Sequence, residues 1–222
     1  MKATFEFDEL LAKMIELAQR SLVSLAPLFV VLTAVGLGVD YYLSDSTFAG
    51  LFLTIFQFVL SYFFVKKLAE VVGFIEEGEI GPGFGAYFGL SFVMGLGTGI
   101  GFLLLVLPGM YLTIRWILAY PMLFAPRESG GNPAEPLRAS WQATGPVFWK
   151  LAVAYLFSLV ALALTFYIYW DPGFDELLRP QLIPLAIANV LSSAVLIYNI
   201  ILGFAAFLLV SGDIHETVEV FQ

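Results

Sequence analysis

The sequence predicts an all-α fold, a polytopic membrane helical bundle with six transmembrane helices, and three observations predict it. Hydrophobic residues fill 60% of 222 positions and charged residues 13%, against roughly 45–50% and about 25% in soluble domains. Six apolar runs reach or approach the ~20 residues that a helix needs to cross the bilayer hydrocarbon. Lys and Arg outside those runs gather on alternate connections, as they do on the cytoplasmic side of a membrane.

Residues 1–20 carry Glu6, Asp8, Glu9 and Glu16 and lack an apolar core of signal-peptide length, so no cleavage is expected. Leu10, Leu11, Met14, Ile15 and Ala18 recur at helical spacing, with most charges elsewhere on the wheel. This pattern predicts an N-terminal interfacial amphipathic helix; packing of the same face on the protein itself is the alternative.

The transmembrane domain is expected over 21–210, with spans at about 22–43, 48–72, 84–107, 110–125, 147–170 and 182–210. On the third span Gly95, Gly97, Gly99 and Gly101 form two overlapping GxxxG spacings, the pattern of close helix packing. Pro108-Gly109 reads as a tight hairpin between the third and fourth spans. The fourth run is the short one, about 24 Å at 1.5 Å per residue, and Pro121 is expected to bend it because proline lacks the N–H its turn requires.

After the loop at 126–133, Leu137, Trp141 and Phe148 alternate with Glu135, Arg138, Gln142 and Lys150. A second interfacial helix is expected at about 134–145, with Trp141, Phe148 and Trp149 as interfacial aromatics. On the sixth span Asn189, Ser192, Ser193, Asn199 and Gly203 fall largely along one face, which should look inward as helix-packing glue. Residues 211–222 form a tail whose His215, beside Glu216, makes no complete metal site.

Of the 10 Lys and Arg residues, eight lie on one side (Lys2, Lys13, Arg20, Lys66, Lys67, Arg127, Arg138, Lys150), one on the other (Arg179), and Arg115 lies within a span. The positive-inside rule then puts both termini in the cytoplasm, across an inner (plasma) membrane. Asp40, Asp45, Asp171, Asp175 and Glu176, with Tyr41, Tyr42, Tyr167, Tyr169 and Trp170, mark the opposite face.

Arg115 is the expensive residue, since a charge at mid-span costs about 2.5–3.5 kcal/mol on insertion scales and normally meets a partner or water. Counting from the hairpin puts it in the outer half, with Gln57, Thr165 and Asn189 at similar depth and Asp40 as the available counter-ion. The candidate ligand-binding residues are Arg115, Asp40, Gln57, Asn189 and Asn199. Anchoring and the binding of an anionic group are both open to Arg115.

The composition also excludes functions. With no cysteine and one histidine there is no disulfide, no thiolate site and no multi-His metal site, and a net charge of −8 offers nucleic acid no basic patch. No cofactor motif, nucleophile triad or intramembrane carboxylate pair occurs, so catalysis is not expected. The reading is a protein that binds or organises membrane lipids or a partner membrane protein, another chain or a second copy of itself. The alternative is a small transporter or channel for an amphiphilic or anionic solute, with Arg115 as its internal charge.

One stretch carries a family likeness. Leu107-Pro108-Gly109-Met110-Tyr111-Leu112, then Arg115-Trp116, Ala119-Tyr120-Pro121, and after the loop Leu137-Arg138-Ala139-Ser140-Trp141-Gln142-Ala143-Thr144 with Phe148-Trp149, resembles the YciC-like bacterial inner-membrane family. It is similar too to the membrane domain attached to some glycerophosphodiester phosphodiesterases. The resemblance implies a multi-pass inner-membrane protein. Because these 222 residues hold no phosphodiesterase domain, it implies no phosphodiester chemistry.

Overall fold

The computed structural model describes residues 5–43, 46–126, 134–170 and 182–212. Among them the chain is helical, without strands: α1 (Phe7–Tyr42), α2 (Thr47–Val71), α3 (Gly83–Leu104), α4 (Val106–Arg115), α5 (Ala119–Phe124), α6 (Ala134–Thr144), α7 (Phe148–Trp170) and α8 (Leu182–Ser211). Six units are long and apolar enough to span a bilayer, with α4 and α5 together forming the fourth. The protein is an all-α integral membrane protein. The acidic connection at 171–181, Asp45, Arg179, Lys2, Arg127 and the tail with His215 lie outside the described residues.

The N-terminal segment is not a separate interfacial helix. Residues 7–42 form one helix of 36 residues, about 54 Å long at 1.5 Å per residue, so it overshoots the ~30 Å hydrocarbon layer. The overshoot is its charged beginning, where Lys13 and Arg20 hold Glu16 at 2.8 and 3.3 Å. Leu10, Met14 and Leu17 there are buried, and Leu11 and Ile15 are exposed. The apolar face thus turns onto the protein, the second of the two readings of that pattern.

It turns inward because a core waits for it. Leu10 and Leu17 share one cluster with Val65 and Leu68 of α2, Leu118, Leu151 of α7 and Leu202 of α8. This core gathers where α1 begins and α8 finishes, here called the terminal end. At the charged beginning of α1 the alternative to burial is water, so each buried leucine contributes about 1.5–3 kcal/mol. Within the hydrocarbon no such gain exists, since lipid is as apolar as leucine, and the spans there are joined by polar contacts. Ser158 donates to Asn199 Oδ1 at 2.9 Å and Tyr198 to the Ala154 carbonyl at 2.9 Å, both tying α7 to α8.

The hairpin between the third and fourth spans turns earlier than expected. The break falls at Leu105, whose extended backbone separates α3 from α4. Pro108 becomes the third residue of α4, inside the first turn, where the missing N–H has no helical acceptor to lose. Gly109 serves a different end: Gly101 packs so closely on it that an added Cβ at Gly101 would sit 2.9 Å from the Gly109 Cα. The α2–α3 connection is a glycine turn, with Gly73, Gly78, Gly81 and Gly83 all at positive φ.

Beyond this hairpin α3 has little cover. Its early rings Phe84, Tyr87 and Phe88 surround Phe58 of α2, but Phe92, Leu96 and Ile100 face outward.

Candidate functional site

The fourth span is broken, and the break builds the site. Pro121 was expected to bend a continuous helix; instead α4 ends at Arg115, residues 116–118 form turns, and α5 starts at Ala119 with Pro121 as its third residue. In an unbroken helix the Ile117 carbonyl would look to residue 121 for its donor, and proline has no N–H to give. That oxygen instead lies against α8 at Gly203, where a Cβ would stand 2.6 Å from it. A side chain at 203 would push the two segments apart.

The end of α4 exposes a second carbonyl, that of Arg115. Ser140 Oγ donates to it at 2.8 Å, and Thr144 Oγ1, which lies 2.8 Å from the Ser140 carbonyl, is also within reach at 3.2 Å, both from the inward face of α6. Non-helical backbone at membrane depth is tolerated only where protein satisfies it, each bare group costing several kcal/mol. α6 therefore acts as a lateral cap on α4, and its buried residues Pro136, Ser140 and Thr144 follow the four-residue spacing of one helical face.

The Arg115 side chain lies beside this cap. Its guanidinium carbon stands 4.4 Å from the Trp141 ring centre and 5.8 Å from that of Tyr111. Nε is buried without a hydrogen-bond partner, and no ion pair among the described residues includes Arg115. Nη1 points to the α6–α7 turn, 3.2 Å from where a Cβ on Gly145 would stand. Gly145, Pro146 and Trp149 are exposed there. Both rings lie within cation–π reach of the guanidinium, while its edge is available to two oxygens of a carboxylate or phosphate.

Arg115 therefore sits against the α6–α7 turn rather than across the bundle from Asp40. Asp40, on α1, accepts from Tyr169 Oη of α7 at 2.6 Å and from Asn189 Nδ2 of α8 at 2.9 Å. Asn189 also donates to the Leu185 carbonyl at 3.0 Å, and its side chain occupies the space left by Gly36. This group locks three helices at the end opposite the terminal core. Of the candidate residues the structure thus joins Asp40 with Asn189, places Asn199 on Ser158, and leaves Gln57 exposed on α2.

The packing residues also divide. Gly97 and Gly101 face α4, against Trp116 and Gly109, whereas Gly95 and Gly99 have nothing within 4 Å of an added Cβ. One GxxxG spacing packs helices and the other opens outward. On α8, Ser193 and Gly203 are buried and Ser192 is exposed, so Ser192 stands off the inward stripe. Trp149 is exposed, while Trp141 and Phe148 turn in to Tyr111 with ring centres 5.6 and 5.2 Å from it.

Ser140, Thr144, Tyr111 and Gly145 were not singled out as site residues from the sequence. Hydroxyls four residues apart on a short helix, following a proline-interrupted span, were the available sign. Among the described residues no group of three or more His, Cys, Asp or Glu could hold a metal ion. Comparison with protein-family models, curated proteins and solved structures finds no match to this chain.

Proposed function

We propose that this integral membrane protein binds anionic lipid headgroups at Arg115, without catalysis. One observation carries the reading: a half-buried guanidinium, clamped by Trp141 and Tyr111, has no carboxylate among the described residues and turns its outer edge to the exposed α6–α7 turn. A lipid phosphate would take two parallel hydrogen bonds from that edge. Arg138, exposed on α6, adds positive charge on the same helix. The positive-inside count supports a cytoplasmic position for this turn and for both termini, in an inner membrane, where anionic lipids concentrate. The likeness of residues 107–149 to YciC-like membrane proteins is consistent with a multi-pass protein of this kind.

The transport alternative asks for a wet route to Arg115. A continuous water-filled cavity that reaches Arg115 from one side of the membrane would favour it over the lipid reading.

Native mass spectrometry of protein exchanged into equal phosphatidylglycerol and phosphatidylcholine tests the proposal. The wild type should retain phosphatidylglycerol preferentially, Arg115→Gln should lose the preference, and Arg115→Lys should keep part of it. An Arg115→Gln protein that is monodisperse and still prefers phosphatidylglycerol would refute the headgroup site.

A further inference from the structure

The uncovered flank of α3 borders a groove of about 520 Å³, between α3, α2 and the broken fourth span. Its walls include Phe58, Phe88, Phe92 and Met94, with Ser91 and Tyr120 deeper in. Phe88 stands edge-on to Phe58 at 5.7 Å and stacks on Phe92 at 6.1 Å, so the aromatic wall is continuous. Gly95 lines the groove and has nothing within 4 Å of an added Cβ, so it leaves open the room a larger residue would fill.

We propose that this groove holds one acyl chain of a membrane lipid. Residues 88–98 are the middle of a 22-residue span, so the surrounding medium is hydrocarbon. Water is a poor occupant, because a buried water needs two to four polar partners and the hydroxyls here are already engaged. Ser91 pairs with Tyr120 at 3.0 Å, Thr98 donates to the Met94 carbonyl at 2.7 Å, and Thr113 to the Gly109 carbonyl at 2.9 Å. Vacancy would forfeit dispersion contacts along every wall. A flexible hydrocarbon tail entering sideways restores those contacts and makes no polar demand. The inference rests on the membrane-spanning character of the chain and is independent of the headgroup reading of Arg115.

The test uses nanodiscs of phosphatidylcholine that carries a diazirine in one acyl chain, a zwitterionic lipid that removes any role for headgroup charge. After photolysis, labelled positions are mapped by peptide mass spectrometry. Labelling around Met94 should exceed severalfold that at Phe157 and Val160, lipid-facing residues of α7. Gly95→Trp should fill the groove and bring its labelling down to the α7 level. Gly99→Trp, on an equally open glycine outside the lining, should leave labelling unchanged and shows that a tryptophan on this helix is accommodated. Equal labelling of α3 and α7 in the wild type would mean ordinary annular contact and would overturn the proposal. So would groove labelling that persists in Gly95→Trp. Arg115→Gln should leave groove labelling intact, so this site and the headgroup site fail separately.

Discussion

Arg115 shows what one residue costs and how the surroundings offset it. A cation stacked on an aromatic ring gains ~0.5–1 kcal/mol when exposed and about 2 kcal/mol when desolvated. Trp141→Ala should therefore weaken anionic-lipid retention several-fold and Trp141→Phe much less, read by the same lipid-exchange mass spectrometry. Asp40 is the complementary case. Removing the carboxylate strands one N–H of the buried Asn189 and releases the Tyr169 hydroxyl, which is exposed, whereas Asn at 40 keeps an acceptor oxygen. Asp40→Ala should lower the melting temperature in detergent more than Asp40→Asn, the stranded Asn189 donor costing about 1–3 kcal/mol; equal shifts would show that the hydrogen bonds contribute nothing. That Arg115 is a charge within a span was legible, because its flanks are apolar. Its partner was not, because residue counting along a presumed continuous helix gives depth and says nothing of a break that turns the side chain toward α6.

At the scale of elements, spans were easier to read than their ends. Length and hydropathy place six of them, since any ~20-residue apolar stretch satisfies the bilayer. Boundaries depend on who satisfies the freed backbone, and those partners are distant in sequence. The Pro108-Gly109 pair marks a helix start and a helix contact instead of the turn itself, a distinction that local propensity does not carry. The α4–α5 break gives two further predictions. Ser140→Ala removes the nearer donor to the Arg115 carbonyl, and Thr144→Ala the hydroxyl that can turn to it from the Ser140 carbonyl, so each alone should cost about 1 kcal/mol. The double variant should cost more than the sum, because only then is the oxygen bare; additive losses in denaturant unfolding would mean that the two hydroxyls act separately. Gly203→Ala should destabilise by roughly 1–3 kcal/mol through overpacking on the Ile117 carbonyl. Gly99→Ala, with open space around it, should instead be neutral or slightly stabilising by about 0.5–1 kcal/mol.

For the whole molecule, the larger buried cluster among the described residues lies at the terminal end. The terminal core draws on α1, α2, α5, α7 and α8 together, while much of α3 faces away from the bundle. Deleting residues 1–20 should therefore yield aggregated or polydisperse protein on size-exclusion chromatography. A detachable surface helix would leave the remaining bundle monodisperse. Leu17→Ala should reproduce part of the effect, at about 2–5 kcal/mol for a fully buried leucine. The amphipathic pattern of this segment was plain in the sequence, but periodicity gives a face without saying whether lipid or protein covers it. Only the positions of Val65, Leu151 and Leu202 decide that, and they are far along the chain.

The broken fourth span also constrains how the protein is made. Its Arg115 carbonyl is satisfied by residues of α6, and its Ile117 carbonyl is covered by Gly203, near the end of the last helix. As the chain emerges from the ribosome in order, α4 and α5 enter the membrane before either partner exists. This span also has the lowest mean hydropathy of the six, 1.2, so it is the one least able to hold its place alone. The insertion machinery must shelter it, or leave it in a provisional register, until α8 arrives. A ribosome stalled before Gly203 should therefore hold a fourth span still open to protease or thiol labelling at an introduced cysteine, and release past that point should close it.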